Sequence, residues 1–263
     1  MTNNICLNCG KKLTDKFCSG CGQKADTRRI TFKNLLYNDV IQGVFNLELG
    51  ILYTAKQALI RPGQAALDYI AGKRKRFYNI FYLILLTIGA LIFTNNMGEL
   101  FGDQGGELVN DKVYLNEASE KLDKIISQKR NIILFLFVPF AAFNSFVLFR
   151  KKKLNLSEHS ILSGMILLGI LLLSTMGNIY FPINNFLNFS GNIASLVITA
   201  IIVLYICYGY FNAFGEDYSH WGITYRMFLF FALLCLEVGL LFLIIFGYVS
   251  DWKFGEVRIT PFG

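Results

Sequence analysis

The sequence predicts a mainly α fold: a polytopic α-helical membrane protein of about five spans, with a short N-terminal zinc ribbon. Three observations predict it. The chain is 54% hydrophobic and 16% charged, whereas soluble domains carry about a quarter charged residues. Four consecutive cations, Lys73, Arg74, Lys75 and Arg76, abut an apolar run from Phe77 to Phe93 that continues weakly to Met97, and roughly 20 apolar helical residues cross a bilayer. Ahead of that junction stand two CxxC pairs.

The charge is unevenly placed. Residues 1–76 hold 13 Lys+Arg and 5 Asp+Glu, a surplus of 8 against a whole-chain +7, so the remainder sums to −1. A basic segment beside a span suits the anionic inner leaflet, and flanking cations stay on the cytoplasmic side. Nucleic acid is the competing explanation. The first 30 residues hold no apolar core of signal length, so the N-terminus is expected in the reducing cytosol. Clustered thiols there are more often metal ligands than disulfides.

Cys6-Leu-Asn-Cys9-Gly10 is followed, after eight residues, by Cys18-Ser-Gly-Cys21-Gly22. Two CxxC turns can deliver four thiolates tetrahedrally to one ion at about 2.3 Å. Glycine after the second Cys tolerates the positive φ of so tight a turn. The only apolar residues of the unit are Ile5, Leu7, Leu13 and Phe17, too little to fold alone. Zinc is therefore expected to supply the folding free energy, of order 10 kcal/mol. A redox dithiol pair and an iron–sulfur site are the alternatives, although redox CxxC motifs usually sit in βαβ folds. Four thiolates with no open position make a structural site, not a catalytic one.

The ribbon and its basic linker occupy residues 1–29, and helices lying on or near the membrane fill 30–76. Thr31 caps a helix in which Phe32, Leu36, Val40, Val44, Leu47 and Ile51 recur at three- and four-residue steps. It bends near Gly50 and resumes to Ile60, where Arg61-Pro62-Gly63 stops it. A short helix from Gln64 to Ala71 ends at Gly72, a natural C-terminal cap. The apolar stripe suits the lipid interface and the surface of the bundle equally.

The bundle fills residues 77–249. Its spans run about Phe77–Met97, Asn131–Phe149, Ile161–Phe181, Ile193–Phe214 and Met227–Val249. Arg150, Lys151, Lys152 and Lys153 close the second span and share a side with Lys73–Arg76, as a cytoplasmic flank requires. The loop 98–130 has 7 acids and 5 bases and belongs outside, with a helix over Leu115–Lys129. The uncharged loop 182–192 and the tail 250–263 fall outside too. Tyr205, Tyr208, Tyr210 and Asn212 give the fourth span a polar, aromatic inner end, which suits the headgroup level.

Candidate chemistry is sparse. Ser157 reads as a helix cap with Glu158 beside it, suiting the macrodipole. His159 is a candidate proton acceptor or ligand, set against a plain hydrogen bond at the headgroup boundary. No second His follows at zincin spacing. His220 lies among Tyr218, Trp221 and Tyr225 and reads as part of an interfacial aromatic anchor. Glu237, near the middle of the fifth span, is the sharper feature. An intramembrane carboxyl is a functional hypothesis by default, with Asn144, Ser145 and Asn212 as candidate partners. The alternative is a neutral Glu making one interhelical hydrogen bond. Cys207 and Cys235 read as packing residues. There is no phosphate-binding loop, dinucleotide fingerprint or nucleophile elbow.

Cys6-Leu-Asn-Cys-Gly10, Lys16-Phe-Cys-Ser-Gly-Cys-Gly-Gln-Lys24, Arg29-Ile-Thr-Phe32, Leu52-Tyr-Thr54, Arg61-Pro-Gly63, Tyr69-Ile-Ala-Gly-Lys-Arg-Lys-Arg76 and Glu158-His159 together resemble a bacterial family catalogued as domain of unknown function 3667. The likeness is close over about residues 6–85 and loose beyond. It departs at Tyr78-Asn-Ile80, where the family tends to carry a proline after the Asn. The resemblance implies a zinc-ribbon head on a multi-span body in the bacterial inner membrane, and no activity. A fainter analogy is to Yip1-type proteins, with a cytoplasmic N-terminus and five spans.

The expected function is non-enzymatic. The ribbon, with structural Zn2+ on Cys6, Cys9, Cys18 and Cys21, is expected to dock a cytosolic or membrane protein beside the lipid bilayer. The alternative is a small transporter or transport regulator using Glu237, with Glu158 and His159 as further candidates. Nucleic acid is the weaker partner, because Phe17 is the sole aromatic in residues 1–30 and base stacking is poorly provided for.

Overall fold

The structure, a computed structural model, describes residues 5–25, 50–101, 135–180 and 191–249. Among these residues it is mainly α-helical. The helices are α1 (Gly50–Ile60), α2 (Pro62–Ile70), α3 (Ile80–Phe101), α4 (Phe135–Leu148), α5 (Leu156–Tyr180), α6 (Gly191–Phe214) and α7 (His220–Val249). Three helical stretches are long and apolar enough to cross a membrane: Leu156–Met176, Leu196–Phe214 and His220–Tyr248. Ile80–Thr94 and Phe135–Leu148 are shorter apolar stretches, so the first two expected spans are met only in part. The helix expected from Thr31 to Gly50, the helix expected over 115–129 and the tail 250–263 lie outside the described residues.

α5 is the axis. It is apolar on every side, and Ile161, Leu162, Met165, Ile166 and Leu168 are all fully buried. α3 packs along it, with Ile80, Phe81 and Ile84 against Gly164. The start of α5 corrects the expected cap. Asn155, not Ser157, caps it: the Glu158 N–H donates to Asn155 Oδ1 and the Asn155 N–H donates to Glu158 Oε2, both at 2.8 Å. This is a reciprocal capping box. Ser157 is buried within the first turn.

α1 and α2 form a helical hairpin that packs on α5 and α6. Arg61 interrupts the helix for one residue, because Pro62 suits only a first helical position. The hairpin tip lies beside Tyr205, Tyr208 and Gly209 of α6. Tyr205 also fills the space over Gly169, roughly 20 Å along α5 at about 1.5 Å per residue. A broken helix leaves orphan carbonyls and N–H groups at the break, and α6 satisfies them. Tyr205 donates to Ala58 O. Tyr208 donates to Ile60 O at 2.7 Å. Asn212 accepts from the Gln64 N–H at 2.8 Å and takes the Gln64 amide on its own carbonyl at 3.0 Å. Gly63 permits the close approach, since a Cβ there would lie 2.5 Å from Ala213 N and nearer still to Gly209 O.

α2 ends in a Schellman turn. The Gly72 N–H reaches Tyr69 O at 3.2 Å, the Lys73 N–H reaches Asp68 O at 3.1 Å, and Gly72 sits at φ +101°. The chain then crosses to α3 with Phe77 and Tyr78 buried. Phe77 packs edge-on against Tyr53 and Tyr69, and the Tyr78 N–H donates to Thr54 Oγ1 at 2.7 Å. The first span was expected from Phe77. Helix α3 instead starts at Ile80, with Asn79 Oδ1 accepting the Tyr82 N–H at 3.1 Å.

At the same end of the bundle, the turn after α4 is locked to the turn before α7. Tyr218 lies between the cations of Lys151 and Arg226, 4.6 and 4.3 Å from its ring centre. Lys152 pairs with Asp217 at 2.9 Å. Beyond its first half α7 has few neighbours: Leu236, Val238, Leu240, Leu243, Ile244 and Tyr248 are exposed. A helix that is apolar all round yet uncovered by protein is made for a lipid environment or a partner.

Candidate functional site

The four cysteine sulfurs converge, all within 4.8 Å of one another. Local backbone bonds build two matching knuckles. In the first, the Gly10 N–H reaches Cys6 O at 2.8 Å and the Cys6 N–H reaches Lys11 O at 2.7 Å. In the second, Gly22 reaches Cys18 O and Cys18 reaches Gln23 O, both at 2.8 Å. Gly10 and Gly22 take φ of +76° and +71°, which side chains resist. Single bridges, Ile5 to Lys12 and Phe17 to Lys24, close each knuckle.

The donor set suits a metal. Cys6 and Cys21 sulfurs lie 3.6 Å apart, and Cys9 and Cys18 sulfurs 3.5 Å. A tetrahedron of thiolates on one zinc has edges of about 3.8 Å. Electrostatics already separates the thiols. Burial acts to raise Cys21, but hydrogen bonds from Asn8, the Gln23 N–H, Cys6 and Cys9 outweigh it and hold its pKa down at about 6. At Cys9 the Lys11 backbone lowers the pKa, but burial and the neighbouring thiols more than offset it, pushing it up to about 11. The N–H groups of Gly20 and Cys21 lower Cys18. A bound cation replaces the shared protons.

The unit sits on the basic turn between α2 and α3. Gln23 donates its amide to Gly72 O at 2.7 Å and accepts the Lys75 N–H at 3.2 Å. Arg76 donates to Asn8 Oδ1 at 3.1 Å and to Asn8 O at 2.9 Å. Leu7 lies so close to Gly72 that a Cβ there would be 2.6 Å from its Cδ1. Lys73 pairs with Asp68 at 2.7 Å, and Arg74 lies over Tyr69. Of the four cations expected to flank the membrane, Arg76 therefore holds the four-cysteine unit and Lys73 pairs with the end of α2. Ile5 and Phe17 remain exposed on that unit.

A second polar cluster threads the bundle. Glu237 accepts from Asn144 Nδ2 at 2.9 Å, one of the three partners expected. Ser145 bonds instead to His159 Nδ1 at 2.8 Å, and Asn212 belongs to the hairpin. His159 is 1% exposed, between the rings of Phe146 and Phe214, rather than on a polar boundary. Tyr210, also buried, bonds to Ser163 at 3.2 Å and Ala141 O at 3.3 Å. Adjacent residues of α4 thus hold the carboxyl of α7 and the imidazole of α5. Asn144 Oδ1 is buried without a hydrogen-bond partner among the described residues. Glu158 is spent on the capping box. Cys207 is partly buried, and Cys235, expected to pack, is exposed.

The sequence assigns no docking role to Leu7, Asn8 or Gln23, because nothing local distinguishes a docking Gln from a solvated one. Tyr205, Tyr208 and Asn212 were read as an interfacial end; their 3.5-residue recurrence on one face of α6 was the available signal for a packed partner. Asn155-x-x-Glu158 was a readable capping box.

A family profile described as a protein of unknown function (DUF3667) matches residues 48–89. That stretch covers α1, α2, the basic turn and the first half of α3. No curated protein and no solved structure matches the chain.

Proposed function

We propose that this chain is a non-enzymatic protein of a bacterial inner membrane, with five spans, a cytoplasmic N-terminus and an external C-terminus. Its ribbon carries one structural Zn2+ on Cys6, Cys9, Cys18 and Cys21 and docks a protein partner beside the membrane. The observation that carries this reading is the closed four-thiol set, seated on the body by Leu7, Asn8 and Gln23, with Ile5 and Phe17 turned outward uncovered. A four-thiolate zinc centre bears a charge of −2, which offsets the lysines around it and argues against a nucleic-acid surface. The test is metal content and co-purification from native membranes in mild detergent, for wild type and for Ile5→Ser/Phe17→Ser. One zinc per chain in both, with a partner lost only from the variant, supports the reading. No zinc, or identical partner sets, overturns it.

A second reading, a small transporter or transport regulator, rests on the Asn144–Glu237 and Ser145–His159 pairs. Intramembrane ionisable groups held by neighbouring residues of one helix are the raw material of a proton relay. Proteoliposomes carrying a pH dye test it. Flux in wild type that Glu237→Gln abolishes supports it, and equal or absent flux removes its support.

A further inference from the structure

We propose that the four-cysteine unit is a metal-dependent latch on the turn 72–76, with Gln23 as its pin; this rests on the metal reading above. Contacts to the turn come from both knuckles. Leu7 and Asn8 lie between the two ligands of the first knuckle, and Gln23 follows the second ligand of the second knuckle by two residues. Gln23 is 5% exposed, and both ends of its side-chain amide are committed to the turn, to Gly72 O and to the Lys75 N–H. Its backbone carbonyl is held by the Cys18 N–H. The side chain is therefore presented by the knuckle itself.

The two knuckles have no shared apolar core, since Ile5 and Phe17 are exposed, Leu7 is spent on Gly72, and Leu13 is only half-buried and outside the apolar core. What holds Leu7, Asn8 and Gln23 together against the turn is the convergence of the four sulfurs. Without an ion, only thiol contacts bridge the sulfurs, and with no apolar core beneath them the knuckles separate. The latch then lifts. Gly72 O and the Lys75 N–H return to solvent, Arg76 loses Asn8, and the backbone from 72 to 76 opens. Metal occupancy thereby sets the accessibility of the segment that leads into α3, while the bundle is untouched.

The experiment is limited trypsin digestion of the full chain in detergent, with cleavage after Lys73, Arg74, Lys75 and Arg76 followed by mass spectrometry. Wild type, chelator-treated wild type and Gln23→Ala are compared, each with its metal content and its bundle melting temperature. Gln23 contacts the turn and leaves all four ligands in place, so Gln23→Ala retains the ion. Losing both amide bonds raises the open population, and the cleavage rate, on the order of tenfold. Faster cleavage in both the chelated protein and metal-loaded Gln23→Ala, at unchanged bundle melting, supports the latch. Cleavage that ignores chelation overturns the latch and leaves the zinc reading standing. Acceleration by chelation alone, with Gln23→Ala like wild type, also overturns it, because the pin then does nothing. A wild type that binds no metal removes the zinc reading, and the latch with it.

Discussion

Gly63→Ala tests the seating of the α1–α2 hairpin most directly. The added methyl would lie 2.5 Å from Ala213 N and 2.9 Å from Ala213 Cβ, with Gly209 O nearer. Ordinary carbon contacts fall at about 3.5–4.0 Å, so α2 must retreat from α6 by roughly 1 Å. The neighbours are backbone atoms of a long helix and cannot turn aside. The same retreat stretches the Gln64–Asn212 bonds, 2.8 and 3.0 Å in the native packing, beyond useful length. Overpacking costs about 1–3 kcal/mol, and each lost bond adds about 1 kcal/mol. The expected loss is about 3–5 kcal/mol, or on the order of 10 °C in melting temperature. Thermal unfolding of the full chain in detergent, followed by circular dichroism, reads it. A double-mutant cycle with Asn212→Ala then separates the two contributions, because Asn212→Ala is expected to cost little once Gly63→Ala is present. A Gly63→Ala protein that melts within about 1 °C of wild type, or full additivity in the cycle, refutes the close packing of α2 on α6.

Three further outcomes are expected. With the ion in place iodoacetamide labels Cys6, Cys9, Cys18 and Cys21 slowly, and chelation speeds all four; labelling that ignores chelation contradicts the arrangement. Glu237→Gln keeps an oxygen acceptor for Asn144 and leaves the melting temperature close to wild type, whereas Glu237→Leu strands the buried amide and costs about 1 kcal/mol; equal melting of the two variants denies the pair any energetic role. Asn155→Ala removes the cap of α5 and costs about 1 kcal/mol, while Ser157→Ala does not remove a cap; the reverse order of melting temperatures contradicts the capping box.

The sequence carried the cysteine knuckles almost whole, because their geometry depends on residues two to five positions apart and on a left-handed backbone that glycine suits best. It also carried Asn144 as a partner for Glu237, because a carboxyl in an apolar helix leaves few candidates. It did not carry the seat of the hairpin. An apolar stripe such as that of α1 looks the same whether lipid or protein covers it, and only the three-dimensional neighbours of Ala58 and Gly63 distinguish the two. The same degeneracy disguised Tyr205 and Tyr208, since a tyrosine that anchors to a headgroup and one that caps a buried carbonyl have the same composition and a similar position in a span. Lys73–Arg76 reads as a membrane flank by charge alone, yet Arg76 also serves the ribbon, a use that needs Asn8 brought from 68 residues away.

The hairpin also imposes an order of events during biosynthesis. The side chains that complete its broken backbone, Tyr205, Tyr208 and Asn212, follow it by 147 or 148 residues. At roughly 5–20 residues per second, the ribosome delivers them roughly ten to thirty seconds later. Until then α1 and α2 have α5 to lie against but no partner for the polar groups at their break. The break is completed only when α6 arrives. An early pair of helices thus stays incomplete until one of the later helices closes it.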